Sequence, residues 1–267
     1  MSEYLQRAIE AARAAGQIQR QGMGKVGFRE KGWADLVTEV DIASQKAIID
    51  LLRQSFPGHR FLGEEGGEGL LDESQCGSGA PQDLPYTWII DPLDGTTNFV
   101  HQVPLFGPSI ALARGSELLC GVIYNPILDE LYCAEAGQGA FRDGQRLTVS
   151  QTTDLEHSLA SVSFPTKTEG DSPDFLAFLV MLAETQAIRR MGTTAINLAY
   201  LASGKFDLLS CQCAHAWDVA AGVLLAREAG AVVTGPGGAP FDLAHPGVIA
   251  AATKQLHDEF LEAMAEV

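Results

Sequence analysis

The chain has 267 residues, 46% hydrophobic and 19% charged, which excludes a disordered or fibrous protein and leaves ample material for a buried core. Eighteen Lys and Arg against 34 Asp and Glu give a formal charge of -16, which argues against nonspecific nucleic-acid binding and against attraction to an anionic membrane. An anionic substrate would need a cationic intermediary.

In chain order, the opening MSEYLQRAIEAARAAG spaces Leu5, Ala8, Ile9, Ala12 and Ala15 near a 3.6-residue period, with Gly22 and Gly24 ending the pattern. Glu3, Arg7, Glu10 and Arg13 interrupt its apolar residues, so it reads as an amphipathic helix and not as a signal peptide. No stretch approaches 18 consecutive apolar residues, so no membrane span and a cytoplasmic location are expected. The segment KVGFREKG is expected to form a mobile loop carrying Lys31, either as a solvated charge or as a cation near a site. Thr38-Glu39-Val40-Asp41 fits the opening of a second helix, with Ile42, Ile48, Ile49 and Leu52 as its apolar face and Pro57-Gly58 as its stop. On this pattern alone Asp41 is a helix-cap residue.

RFLGEE predicts a short strand entering a Gly-rich, acidic loop over residues 66–85, expected to be mobile. Tyr86 to Ile90 predict a buried strand that ends in a turn at Asp91-Pro92-Leu93-Asp94-Gly95. PSIALAR, ELLCGVIY, ELYCAEA and FRDGQRLTV, with its Asp143-Gly144 hairpin signal, predict an antiparallel sheet. Beyond residue 155 strand-like and helical segments alternate, from LASVSF to AVVTG, which implies a layered α/β half. Gly204 and Gly230 fall at expected helix ends, and Pro236-Gly237-Gly238 marks a turn. The expected organisation is an N-terminal α+β half, 1–154, and a C-terminal α/β half, 155–267.

Asp91 and Asp94 place two carboxylates three residues apart, so both can face one hard cation such as Mg²⁺, with the carbonyl of Leu93 as a neutral ligand. Gly95 permits close backbone approach, and the amides of Gly95, Thr96 and Thr97 could cradle an anion. The same segment also suits an ordinary surface turn. Glu64-Glu65 at a strand end and Asp218 at a helix start are available to a shared site, or are solvated charges. His215 and His101 suit capping or packing as well as substrate contact. The five cysteines, Cys76, Cys120, Cys133, Cys211 and Cys213, are scattered without a C-x-x-C pair, so reduced structural thiols are expected, buried at Cys211 and Cys213.

Together Gly63-Glu64-Glu65, the run Trp88 to Phe99 containing Asp91-Pro92-Leu93-Asp94-Gly95-Thr96-Thr97, and Trp217-Asp218-Val219-Ala220-Ala221-Gly222 resemble the signature elements of the inositol monophosphatase family. The segments Asp35 to Asp41 and Gly192-Thr193-Thr194-Ala195 extend that resemblance over nearly the whole chain. It implies an αβαβα sandwich and Mg²⁺-dependent hydrolysis of a phosphate monoester, foremost inositol phosphate. It also implies two or three Mg²⁺ held by Glu64, Asp91, the Leu93 carbonyl, Asp94 and Asp218, with Asp91 bridging two ions. Asp41 and Thr96, with Glu64, would activate water, while Asp94, Gly95, Thr96, Thr97, Thr194 and Asp218 would meet a small phosphorylated metabolite. A homodimer and inhibition by Li⁺ and Ca²⁺ belong to the same resemblance.

One position departs from it. Relatives acting on inositol phosphates usually carry a Glu seven residues before the Asp of Trp-Asp, and Cys211 stands there. A thiol is a weak hydrogen-bonding group, so polyol recognition is expected to be shifted or relaxed. The resemblance also extends to histidinol phosphatases, sugar bisphosphatases and 3′-phosphonucleotide phosphatases. A non-catalytic partner of the transcription machinery is the alternative of another class.

Overall fold

A computed structural model describes residues 1–32, 35–66, 85–164 and 168–267. The N-terminal periodicity becomes α1 (Glu3–Gly22), capped by Ser2 and burying Leu5, Ala8, Ala11, Ala12 and Ala15. After a hairpin of β1 (Phe28–Gly32) and β2 (Asp35–Thr38) comes α2 (Glu39–Ser55). Both helices pack on a seven-stranded sheet ordered β3-β4-β5-β6-β7-β8-β9. Its strands are β3 (Arg60–Gly63), β4 (Tyr86–Asp94), β5 (Gly107–Arg114), β6 (Glu117–Asn125), β7 (Glu130–Glu135), β8 (Gly139–Arg142) and β9 (Gln145–Arg146). All neighbours are antiparallel except β3 and β4.

The sheet is covered on both faces, and its side chains divide between two cores with period two. Trp88, Ile90, Ile110, Leu112 and Val122 point to the α1 and α2 side, while Ile89, Ala111, Ala113 and Ile123 point to the opposite side. On that side lie α5 (Thr194–Ala202) and α6 (Ala216–Glu228), buried around nearly their whole circumference. Gly121 on β6 is what lets α6 approach, because a Cβ there would meet the Ala221 backbone at 3.0 Å.

A five-stranded sheet ordered β11-β10-β12-β14-β13 closes the other side of these helices. It comprises β10 (Leu159–Val162), β11 (Ala187–Arg189), β12 (Leu208–Cys211), β13 (Val232–Thr234) and β14 (Val248–Ala251). Its outer face carries α4 (Pro173–Glu184) and α7 (Lys254–Ala265), packed through Met181, Val180, Leu256 and Phe260. The layers read αβαβα, as expected.

Several expectations change. Ile42 is 56% exposed, because the buried face of α2 runs through Asp41, Gln45, Ile48, Ile49 and Leu52. KVGFREKG contributes strand β1 and not a loop, and the side chain of Lys31 lies outside the described residues. β4 does not stop at Asp91 but continues to Asp94 through a bulge, and the five residues after Gly95 form α3 (Thr96–Val100). β14 and α7 are elements that the sequence reading did not assign. Residues 67–84 of the expected mobile loop, with Cys76, lie outside the described residues.

Candidate active site

The end of β4 is where the chemistry gathers. Asp91 pairs with Ser109 and Asp94 with Gly107, so four residues of β4 face three of β5 and the strand bulges. Pro92, which has no N–H to give the ladder, falls inside this irregularity. Its carbonyl accepts from Nε2 of buried Gln19 on α1 at 2.7 Å, and the Leu93 N–H donates to Asp91 Oδ1 at 2.9 Å. Gly95 then adopts φ 92°, a left-handed conformation that suits glycine, and begins α3.

Asp41 is fully buried on the first turn of α2. Its Oδ2 accepts from the Thr38 N–H at 2.8 Å and the Thr38 hydroxyl at 2.5 Å, completing a capping box. Its Oδ1 lies 2.9 Å from Thr96 Oγ1, which is also 3.1 Å from the Leu93 carbonyl oxygen. One hydroxyl proton therefore serves one of two acceptors at a time. Asp41 is thus both a cap and a partner of Thr96, and burial raises its pKa despite the Thr38 and Thr96 hydrogen bonds.

The parallel pairing of β3 with β4 sets Gly63 beside Ile90, and the Glu64 N–H continues the ladder to the Ile90 carbonyl at 3.2 Å. Glu64 is thereby placed next to Asp91. Asp91 is 2% exposed, and its pKa is driven far up by burial, then by the charges of Glu64, Asp94 and Asp218. The Glu64 side chain also hydrogen-bonds it.

Asp94 leads to the second half of the chain. Its Oδ2 accepts from Thr193 Oγ1 and from the Ala195 N–H, both at 2.6 Å, so it sits at the N-terminus of α5. Burial pushes it up to about 6 against these hydrogen bonds. Asp218, on the first turn of α6, accepts from the His215 N–H at 2.8 Å and is pushed up to about 7, by burial first and the Asp94 charge second. Among the described residues no three His, Cys, Asp or Glu converge tightly enough to hold an ion as they stand. The donor set nevertheless fits a hard cation: all-oxygen, acidic, and mutually repelling until positive charge is added.

A cleft of about 450 Å³ opens beside Asp94, lined by Thr97, Asn98, Ser163, Arg190 and Thr194 among others. Thr194, at the first turn of α5, hydrogen-bonds the thiol of Cys211, which burial and the Asp218 and Asp174 charges keep protonated. Cys213 is exposed, contrary to expectation, because it lies past the end of β12. His215 stacks on Trp217 with ring centroids 4.6 Å apart, and His101 is an exposed residue ending α3. Neither lines the cleft.

Sequence reasoning passed over Gln19, and it quoted Thr193 and Asn98 inside family motifs without giving either a role. Asn98 Nδ2 bridges the carbonyls of Leu105 and Met191, at 2.7 and 2.8 Å, and joins the two halves of the cleft. Thr193 was discoverable, since Gly-Thr-Thr-Ala before an apolar helical run carries an N-cap signal. Gln19 and Asn98 gave no local sign.

The family profile described as "Inositol monophosphatase family" matches residues 1–267. Inositol monophosphatase 2 of Solanum lycopersicum is 40% identical over 270 residues, covering 100% of this chain and 99% of that protein. The crystal structure of extragenic suppressor protein suhB from Bartonella henselae superposes with TM-score 0.88 at 34% identity, covering 98% of each chain. An inositol monophosphatase structure from Anabaena gives TM-score 0.84 at 35% identity over 99% of this chain and 96% of that one.

Proposed function

We propose, because this chain belongs to the inositol monophosphatase family and is a phosphatase, that it hydrolyses inositol phosphate to inositol and phosphate in a Mg²⁺-dependent reaction and accepts other small phosphate monoesters. The observation that carries this reading is the meeting of Glu64, Asp91, Asp94 and Asp218, from three separate segments, beside the Asp41–Thr96 pair. Glu64, Asp91, the Leu93 carbonyl, Asp94 and Asp218 would hold two or three ions. When bound, Mg²⁺ supplies the positive charge a phosphate dianion needs and makes water easier to deprotonate.

The protein's own groups do the rest. Thr96 donates to Asp41 and keeps its lone pairs for a water proton, so the pair orients the nucleophile. Asp41, more basic than an ordinary aspartate because it is buried, is suited to receive that proton. The amides of Gly95, Thr96 and Thr97 face the phosphate, and Thr194 faces the leaving group. Cys211, hydrogen-bonded to Thr194, supports relaxed polyol selection, with histidinol phosphate, a sugar bisphosphate or a 3′-phosphonucleotide as competing substrates.

Residues 1–154 and 155–267 are read as two halves: the seven-stranded sheet precedes the boundary, the five-stranded sheet follows it, and both supply site residues. A cytoplasmic location, inhibition by Li⁺ and Ca²⁺, and a homodimer complete the reading. Exposed Leu179 and Leu182 on α4 offer apolar surface for a second copy, and among the described residues no helix is long and apolar enough to cross a membrane. The test is phosphate release from inositol 1-phosphate, glycerol 2-phosphate, histidinol phosphate, a sugar bisphosphate and a 3′-phosphonucleotide, with Mg²⁺ and with chelator. Release is expected only with Mg²⁺. Failure on the whole panel would overturn the reading and favour a binding role.

A further inference from the structure

We propose that Gln45 on α2 is the positioning residue for the Glu64 carboxylate, an inference that rests on the metal-site reading above. Gln45 is 6% exposed and touches neither the cleft nor the phosphate cradle. Its Oε1 accepts the Glu65 N–H at 3.1 Å, and its Nε2 donates to the carbonyl oxygen of the same residue. An amide side chain of this reach can accept and donate at one residue in this way, whereas an ionised carboxylate has no donor and an ammonium no acceptor.

Glu64 is therefore held on both sides. Before its side chain, its N–H is tied to Ile90 on β4; after it, both polar backbone groups of Glu65 are clamped by Gln45. Gln45 lies one helical turn beyond Asp41, so a single rigid helix carries the Thr96 partner and the clamp on the Glu64 segment. Gly63 provides an independent sign. A Cβ there would lie 3.0 Å from Gln45 Cδ and closer still to Oε1, so the strand ends on the residue that leaves space for the amide. Without the amide, the Glu65 N–H and carbonyl lose their hydrogen bonds to Gln45, and the segment ahead of Gly66 is less firmly held.

The experiment uses the full chain and Mg²⁺ alone as probe. It compares wild type, Gln45→Met, Gly63→Ala, Glu64→Gln and the Gln45→Met/Glu64→Gln double variant. The readouts are the Mg²⁺ concentration giving half-maximal thermal stabilisation of chelator-treated protein, and the Mg²⁺ dependence of hydrolysis. Gln45→Met and Gly63→Ala should each raise that concentration about tenfold or more, the usual scale for losing a group that orients a metal ligand, while kcat at saturating Mg²⁺ changes by less than about threefold. In the Glu64→Gln background, Gln45→Met should add less than about twofold, because the clamp acts through Glu64. An unchanged Mg²⁺ requirement in Gly63→Ala, which leaves Gln45 in place if Gln45→Met does not fold, would overturn the proposal. So would full additivity in the double variant, the mark of a purely structural role. If wild type shows neither Mg²⁺-dependent stabilisation nor hydrolysis, the metal-site reading itself fails and takes this inference with it.

Discussion

At the α2, β4 and α6 end of the site the side chains are carboxylates fixed by named donors, whereas at the α5 and β12 end the polar groups facing the cleft are hydroxyls, an amide and the Arg190 guanidinium, with the Cys211 thiol behind Thr194. Asp41, Asp91, Asp94 and Asp218 each accept from a backbone N–H or hydroxyl. Cys211 reaches the cleft only through Thr194. On the proposed reading the first region gathers cations and the second meets the leaving group. On that reading, variants at the two ends should differ in kind.

The largest effect should come from the carboxylate end. Asp94→Asn and Asp41→Asn should each lower turnover by roughly 10²–10⁴-fold on every substrate. Their folds should survive, because an amide oxygen can still accept from Thr193 and Ala195, or from Thr38. Turnover and thermal melting measured together decide it: near wild-type hydrolysis at saturating Mg²⁺ would dissolve the distinction between the two ends.

Next in size is the response to metal. Mg²⁺ at one hundred times its dissociation constant should stabilise the chelator-treated protein by about 2.7 kcal/mol, through binding to the folded state alone. A melting curve indifferent to millimolar Mg²⁺ would count against the carboxylate end as a cation site.

Cys211→Glu sharpens the other side of the comparison. A carboxylate beside Thr194 should raise the preference for inositol 1-phosphate over glycerol 2-phosphate by about tenfold in kcat/KM, while an aryl phosphate is hydrolysed as before. A wild-type enzyme that already prefers the inositol ester by orders of magnitude would show that Thr194 or its neighbours select polyols without the thiol's help.

The smallest effect is a pH dependence confined to metal-free protein. Asp94 at about 6 and Asp218 at about 7 lie above the ordinary aspartate value of 3.8, so protonation favours the folded state. Their contribution is complete below about pH 4 and is lost as pH rises through 6 and 7. Chelator-treated protein should therefore melt lower at pH 8 than at pH 5, by about 2–4 °C for each kcal/mol involved, and Mg²⁺ should narrow the gap. Melting that rises with pH over this window would mean the two carboxylates are not desolvated as the fold implies.

Periodicity and capping chemistry were enough to place α1, α2, α4, α5, α6 and most strands, because each rests on an apolar repeat and a local stop that neighbouring residues supply. The carboxylates proposed to hold metal were singled out in sequence, but the local patterns at Asp91-Pro92-Leu93-Asp94-Gly95 and Trp217-Asp218 left a surface turn and solvated charges open, and it was the family resemblance that assigned them. What sequence could not hold was the geometry made by contacts distant along the chain. The bulge that carries β4 on to Asp94 depends on pairing with β5 and on Gln19, 73 residues away from Pro92. Ile42 fits an apolar face by composition but turns outward because α2 is oriented by the sheet beneath it. Thr96 meets Asp41 across 55 positions, Thr193 meets Asp94 across 99, and Gln45 meets Glu65 across 20. A hydrogen bond needs its partners within about 3 Å, and for groups so far apart in sequence only the packed layers bring them that close.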